Sequence, residues 1–309
     1  MPPNDRQGEG LDARTLAGET REAFKADDFV KRLRRYSSAK ENALQFCGFL
    51  RQQNRSDLLG PLEKCGNFIV FRDYYTAGEV RLSSIRTCHK HLVCPLCAIR
   101  RGAKSVRVYA AKVGELLRAD PELKAYLVTF TVRNGPDLGE RFRHLTGHLR
   151  AYHKRRMGTR QTGEVLKASA AVWSFEFTNR GRGWHPHVHA IWLCREAPDE
   201  LQLRAEWEAM TRDSFECDVT PMDQADPFGA FLEVFKYAVK FASLDDGHRL
   251  HAFDTLRGCR LQGSFGALRG LVVDPGEADD LLEDLPFIER LFSYATGPGY
   301  REIGQRLPR

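Results

Sequence analysis

No stretch of the chain approaches the roughly 20 consecutive apolar residues of a helical membrane span, so none is expected. The opening residues MPPNDRQGEG show no apolar segment behind a basic start, and a secretory signal is not expected either. Tandem repeats and low-complexity tracts are lacking. No single charge dominates, because 47 Lys and Arg stand against 41 Asp and Glu, a net +6. With 42% hydrophobic and 28% charged residues over 309 positions, the composition excludes wholesale disorder, a collagen-like repeat and a membrane bundle. A soluble folded chain remains, long enough for one large domain with satellites. The expected compartment is a reducing cytoplasm, where eight cysteines need a reason other than disulfides.

The net charge hides an asymmetry. Residues 81–160 hold 18 Lys or Arg against five acids, a local +13 that leaves the rest of the chain at −7. Much of that deficit lies in residues 271–290, where Asp274, Glu277, Asp279, Asp280, Glu283, Asp284 and Glu289 stand against Arg290 alone. A basic segment of this density is either a solvated face or the footprint of a phosphate backbone. From charge alone the acidic segment reads as a solvated stretch, and its role stays open.

Patterning divides the chain into a polar arm (1–46) with one short helix, a small cysteine-bearing module (47–105), a core (106–246) and an extension with the acidic segment (247–309). After a helix over 107–117, residues 126–132, 168–178, 187–193 and 215–220 are rich in β-branched and aromatic residues and read as strands. Residues 138–157, 198–212 and 227–244 read as helices. The order β-α-β-β-α-β-α predicts an α+β fold, a ferredoxin-like split βαβ core whose antiparallel sheet is covered by helices on one face, plus one extra helix.

Cys94-Pro-Leu-Cys97 is a knuckle of the kind that presents two thiolates to one tetrahedral ion. Cys88 lies upstream, and Cys65 precedes Gly66 in a second turn. Four thiolates from two turns would close a structural Zn²⁺ site, although cysteine is also a common small core residue. His89, His91 and Cys47 are near enough to substitute as ligands. Cys194, Cys217 and Cys259 have no partners at ligand spacing and read as core or free thiols. Arg100, Arg101, Lys104 and Arg107 follow the knuckle at once, which suits nucleic acid or simply solubilises a helix.

The most informative stretch is Trp184-His-Pro-His187-Val-His189. On a strand His187 and His189 share a face, about 7 Å apart, and can chelate one divalent ion if a neighbouring strand supplies a third ligand. Glu176, flanked by Phe175 and Phe177 on the adjacent strand, is the natural candidate, because a carboxylate among aromatics needs a cation or partner. The bland alternative is a polar strand face of hydrogen-bonded histidines. His185 could stand behind these ligands or add a fourth. On the last helix, with Glu233 as origin, Tyr237 falls at about 40° and Lys240 at about −20°, one polar stripe beside the apolar face. A solvated charge pattern explains that stripe equally well, unless the phenol lies near a metal and serves as a nucleophile.

Taken in order, the strand Leu127-Val-Thr-Phe-Thr-Val-Arg-Asn134, the His187-Val-His189 motif and Tyr237-Ala-Val-Lys240 resemble the three motifs of HUH endonucleases. With Glu233 four residues before the tyrosine and a CPxC module upstream, the chain is most similar to rolling-circle plasmid replication initiators (Rep proteins). The resemblance spans residues 65–244 and implies an HUH core behind a zinc-binding module in a bacterial cytoplasm. It further implies His187, His189 and Glu176 around Mg²⁺ or Mn²⁺, Tyr237 as nucleophile, Lys240 stabilising charge, and Glu233 activating water at termination. Cys65, Cys88, Cys94 and Cys97 would hold Zn²⁺. The implied partners are single-stranded or hairpin DNA at a plasmid double-strand origin, with host helicase and DNA polymerase, and no membrane. An HUH transposase or a non-catalytic zinc-containing DNA-binding protein are the alternative readings.

Overall fold

The computed structural model describes residues 26–157, 161–222, 231, 234–235, 244–273, 278–282 and 284–307. The fold is α+β with antiparallel sheets, and two compact units emerge among the described residues: 26–104 with 244–246 and 273–307, and 105–235 with 247–272.

The first unit is built on a four-stranded antiparallel sheet. Strands β1 (Phe68–Tyr74) and β2 (Glu79–Ile85) form a hairpin, and β8 (Ile288–Ala295) and β9 (Gly299–Arg306) form another. The two hairpins join through β1 and β8 to give the order β2-β1-β8-β9. Helix α1 (Ala26–Gln52) packs on this sheet and is followed by α2 (Ser56–Lys64). Phe29 of α1 meets Phe71 and Phe292 edge to face at 4.9 and 5.5 Å, giving the core its aromatic centre.

Sequence periodicity predicts only a short helix in this N-terminal part, whereas α1 runs for 27 residues. Its buried face carries Tyr36, Ala39, Phe46 and Leu50 but also Arg32 and Lys40, both almost fully buried. Two buried cations interrupt the apolar stripe by which a helix is recognised. Each is compensated. Arg32 pairs with Asp279, and Lys40 Nζ donates to the carbonyls of Leu62, Glu63 and Cys65 at 3.3, 2.7 and 2.7 Å, closing the end of α2. The hairpin β8–β9 is likewise absent from the sequence reading, although Gly297-Pro298-Gly299 is a turn signal between two alternating runs.

In the second unit the expected alternation holds. Strand β3 (Lys124–Thr131), helix α4 (Leu138–Lys154), strands β4 (Ala168–Asn179) and β5 (Trp184–Cys194), helix α5 (Glu200–Thr211) and strand β6 (Cys217–Pro221) follow the predicted order. Helix α3 (Pro95–Ala119) precedes them, longer than expected because it begins within the Cys94–Cys97 knuckle, and α6 (Asp246–Leu256) and β7 (Gln262–Phe265) follow. The sheet order is β6-β3-β5-β4-β7, every neighbouring pair antiparallel. Its first four strands have the split βαβ arrangement, with β7 added at the edge. Asp137 and Asp199 cap α4 and α5 by accepting from the amides of Glu140 and Gln202, which fixes where both helices start.

One face of this sheet is covered by α4 and α5. Phe130 and Trp192 meet Tyr152 and Trp207 from these helices, with Phe130 and Trp207 at 4.9 Å, and Phe175 and Phe177 meet Phe142 at 5.4 Å. Each such ring adds about 1.5–3 kcal/mol through burial. The strands alternate, so burying these rings on one side turns Thr129, Thr131, Ser174, Glu176, His187 and His189 to the other. Of the helix expected over 227–244, only Phe231, Val234, Phe235 and Leu244 are described.

Candidate metal centres and adjoining cleft

Register assembles the first centre. Glu176 lies directly across from His187, which lies across from Thr131; one step along, Ser174, His189 and Thr129 form a parallel row. Side chains paired across antiparallel strands share a face, so β3, β4 and β5 deliver all six groups to one patch. Glu176 Oε2 lies 3.4 Å from His187 Nε2 and 3.2 Å from His189 Nε2, and the three donor atoms lie within 4.8 Å of one another. The Glu176 carboxylate is 2% exposed, and the His187 and His189 rings are partly exposed at 14% and 12%.

A buried carboxylate and two imidazoles converging on one point form a donor set that fits a divalent cation. Thr129 Oγ1 lies 3.0 Å from His189 Nδ1, so the ring is oriented from behind with Nε2 turned to the centre. His185 is not part of this cluster; its Nδ1 pairs with Asn134 Oδ1. Ser174 Oγ donates to the Val234 carbonyl, fixing that residue beside the same face. Glu233, Tyr237 and Lys240 lie outside the described residues.

The second centre is in the first unit. Cys65 follows α2, Cys88 and Cys94 flank the turn before α3, and Cys97 sits in its first turn. Sγ separations are 3.6 Å for Cys65–Cys97, Cys88–Cys97 and Cys65–Cys94. A tetrahedron of thiolates about 2.3 Å from Zn²⁺ has edges of about 3.8 Å, so the spacing suits that ion. Hydrogen bonds from neighbouring thiols hold the Cys94 thiol well below its ordinary pKa and push Cys65 and Cys97 up. Four adjacent thiols cannot all ionise without a cation.

Cys47, His89 and His91 stand outside the four-cysteine cluster. Burial pushes the Cys47 thiol up to about 11 and the His91 imidazole down to about 4. Cys194 and Cys217 are buried and their thiols raised by burial, while Cys259 is exposed. Gly66 has φ +67°, and a Cβ there would fall 2.4 Å from the Leu96 side chain and 2.8 Å from Tyr300 Oη. Glycine is therefore required for the turn beside Cys65.

Beside the His/Glu patch the sheet opens into a cleft of about 800 Å³, reached from Thr131 through Arg133 and Asn134 to Arg182, His185 and Phe215. Reciprocal backbone hydrogen bonds between Gly135 and Trp184, 3.0 and 2.7 Å, tie its two walls together. Sequence reasoning overlooked Phe215, which it placed in a strand; it precedes β6 and is 56% exposed.

A family model described as Replication protein matches residues 79–281. The protein named Protein rep from Streptococcus pneumoniae serotype 2 (strain D39 / NCTC 7466) is 26% identical over 206 residues. That alignment spans 62% of this chain and 62% of the relative's own length. No solved structure matches the chain.

Proposed function

The chain belongs to the replication-protein (Rep) family of plasmid rolling-circle initiators, and from that premise we propose that it nicks single-stranded or hairpin DNA at a plasmid double-strand origin. In this reading residues 106–246 carry the chemistry and residues 47–105 form a zinc-stabilised module. Glu176, His187 and His189 hold Mg²⁺ or Mn²⁺, and Cys65, Cys88, Cys94 and Cys97 hold Zn²⁺. When bound, the divalent ion supplies Lewis-acid polarisation of the scissile phosphate.

The remaining steps belong to side chains. The deprotonated Tyr237 phenol attacks phosphorus in line, the P–O3′ bond breaks, and the departing oxygen takes a proton to become a free 3′ hydroxyl. The tyrosine is then joined to the 5′ phosphate. Lys240 balances the charge that develops on the phosphate. The 3′ hydroxyl primes synthesis by a host DNA polymerase behind a host helicase. At termination Glu233 removes a proton from water so that the last junction is hydrolysed rather than passed to a second tyrosine.

The observation that carries this reading is the convergence of one buried Glu176 oxygen on both His187 and His189. Incubating the full chain with single-stranded oligonucleotides and Mn²⁺, then mapping peptide adducts by mass spectrometry, tests it. An adduct at Tyr237 that disappears in Tyr237→Phe is expected. Unchanged cleavage by Tyr237→Phe would remove the covalent mechanism, and cleavage persisting in chelator would remove the metal assignment.

A further inference from the structure

Among the described residues of the second unit, Phe215 is the one exposed phenylalanine, tyrosine or tryptophan. More than half of it faces solvent, although the chain on both sides of it is fixed. Ser214 Oγ accepts from the Arg133 amide at 2.7 Å, and the Ser214 carbonyl accepts from Thr211 Oγ1 at 2.7 Å. On the other side the Glu216 carbonyl accepts from both the amide and the hydroxyl of Thr131, at 3.2 and 3.1 Å. The ring is thus presented from a pinned loop, with little conformational freedom left to lose on contact with a ligand.

Its surroundings narrow the ligand. Arg133 and Arg182 are exposed cations of the same cleft. Of the two acids lining it, Asp213 is engaged by Arg141 at 2.8 Å and His144 at 3.1 Å, which leaves Glu216 as the one anion not paired in this way. Thr131, which pins the loop, is the register partner of His187, so the cleft is continuous with the metal patch. An aromatic platform flanked by cations is the combination that grips an unpaired strand, the cations taking phosphates and the ring taking a base. A base within a duplex offers no free face for such stacking.

We propose that this cleft binds the unpaired nucleotides next to the scissile phosphate, with Phe215 stacking on a base and Arg133 and Arg182 holding the backbone. The proposal rests on the nicking reading and adds to it a seat for the substrate strand. Phe215 acts here as a binding and positioning residue.

The test is equilibrium binding of a fluorescein-labelled oligothymidylate and of an abasic oligonucleotide of equal length, in chelator so that cleavage does not enter. Base stacking predicts that Phe215→Ala weakens oligothymidylate binding by roughly 5- to 150-fold and leaves abasic binding unchanged. Phe215→Trp should retain affinity, with its fluorescence quenched by the oligothymidylate and not by the abasic strand. Arg133→Gln with Arg182→Gln should weaken both ligands and flatten the salt dependence. Circular dichroism spectra of these variants should match that of the wild type, because the substituted side chains are exposed. If the wild type binds and Phe215→Ala binds equally well, the stacking proposal is overturned while the nicking reading stands. If the wild type binds neither strand, both are overturned; equal loss on both strands would make Phe215 a structural residue and overturn the proposal alone.

Discussion

Asp279 lies in the acidic segment whose role the sequence leaves open, and replacing it tests how the first unit is held together. Its two oxygens accept from Arg32 Nη1 and Nη2 at 2.7 and 3.1 Å, and Oδ2 also accepts from the Leu82 amide at 2.7 Å. The two side chains are 0% and 3% exposed. Burial by itself would raise the Asp279 pKa, but the Arg32 charge and these hydrogen bonds outweigh it and hold the carboxyl at about 2, against an ordinary 3.8. That depression corresponds to about 2 kcal/mol of stability at neutral pH. Asp279→Asn should therefore reduce hydrogen-exchange protection of the Leu82 amide by about 30-fold. Asp279→Ala should cost about 3–5 kcal/mol, because it leaves a guanidinium buried without its carboxylate. Arg32→Met with Asp279→Leu should recover most of that loss. The folded pKa lies below the unfolded one, so the contribution is complete above about pH 4 and fades as the pH falls towards 2. Wild type and Asp279→Asn should converge over that window. A change in Leu82 protection of less than about threefold at neutral pH would refute the assignment of Asp279 as a structural anion.

Three further outcomes follow from the same geometry. Purified full-length protein should carry one equivalent of zinc by elemental analysis, lost in Cys94→Ser and retained in Cys47→Ser; the reverse pattern would mean the ligand set is wrong. Thr129→Val removes the hydroxyl 3.0 Å from His189 Nδ1, and Mn²⁺ affinity should fall by roughly 10- to 100-fold with zinc content unchanged; an unaltered titration would deny the threonine any orienting role. Tyr300→Phe deletes the buried hydrogen bond from Tyr300 Oη to the Gly66 carbonyl, which should cost about 1 kcal/mol and speed zinc release to a chelator. Unchanged release kinetics would show that β9 does not brace the Cys65 turn.

Much of the second unit was legible because its information is local. Alternation puts His187 and His189 on one face and Glu176 opposite its flanking phenylalanines, and capping residues mark the helix starts. Knuckle spacing likewise exposes Cys94 and Cys97. The first unit was less legible, because its defining contacts join residues far apart in the chain. Strand β1 pairs with β8, Phe68 opposite Ser293, and Arg32 meets Asp279 across 247 positions. No local period encodes such partners, and burying Arg32 and Lys40 disguises α1 as a polar arm.

Residue order by itself determined the strand and helix alternation, the His-x-His face, the paired cysteine turns and the charge asymmetry, since each depends on spacing along one element. Only the tertiary structure decided that strand register brings Glu176 opposite His187, that Cys65 and Cys88 complete the sulfur cluster in place of Cys47, His89 or His91, and that Asp279 is buried against Arg32. It also decided that Phe215 stands exposed over a basic cleft. These outcomes depend on which surfaces exclude water and which donors converge in space, and neither quantity exists until distant segments pack.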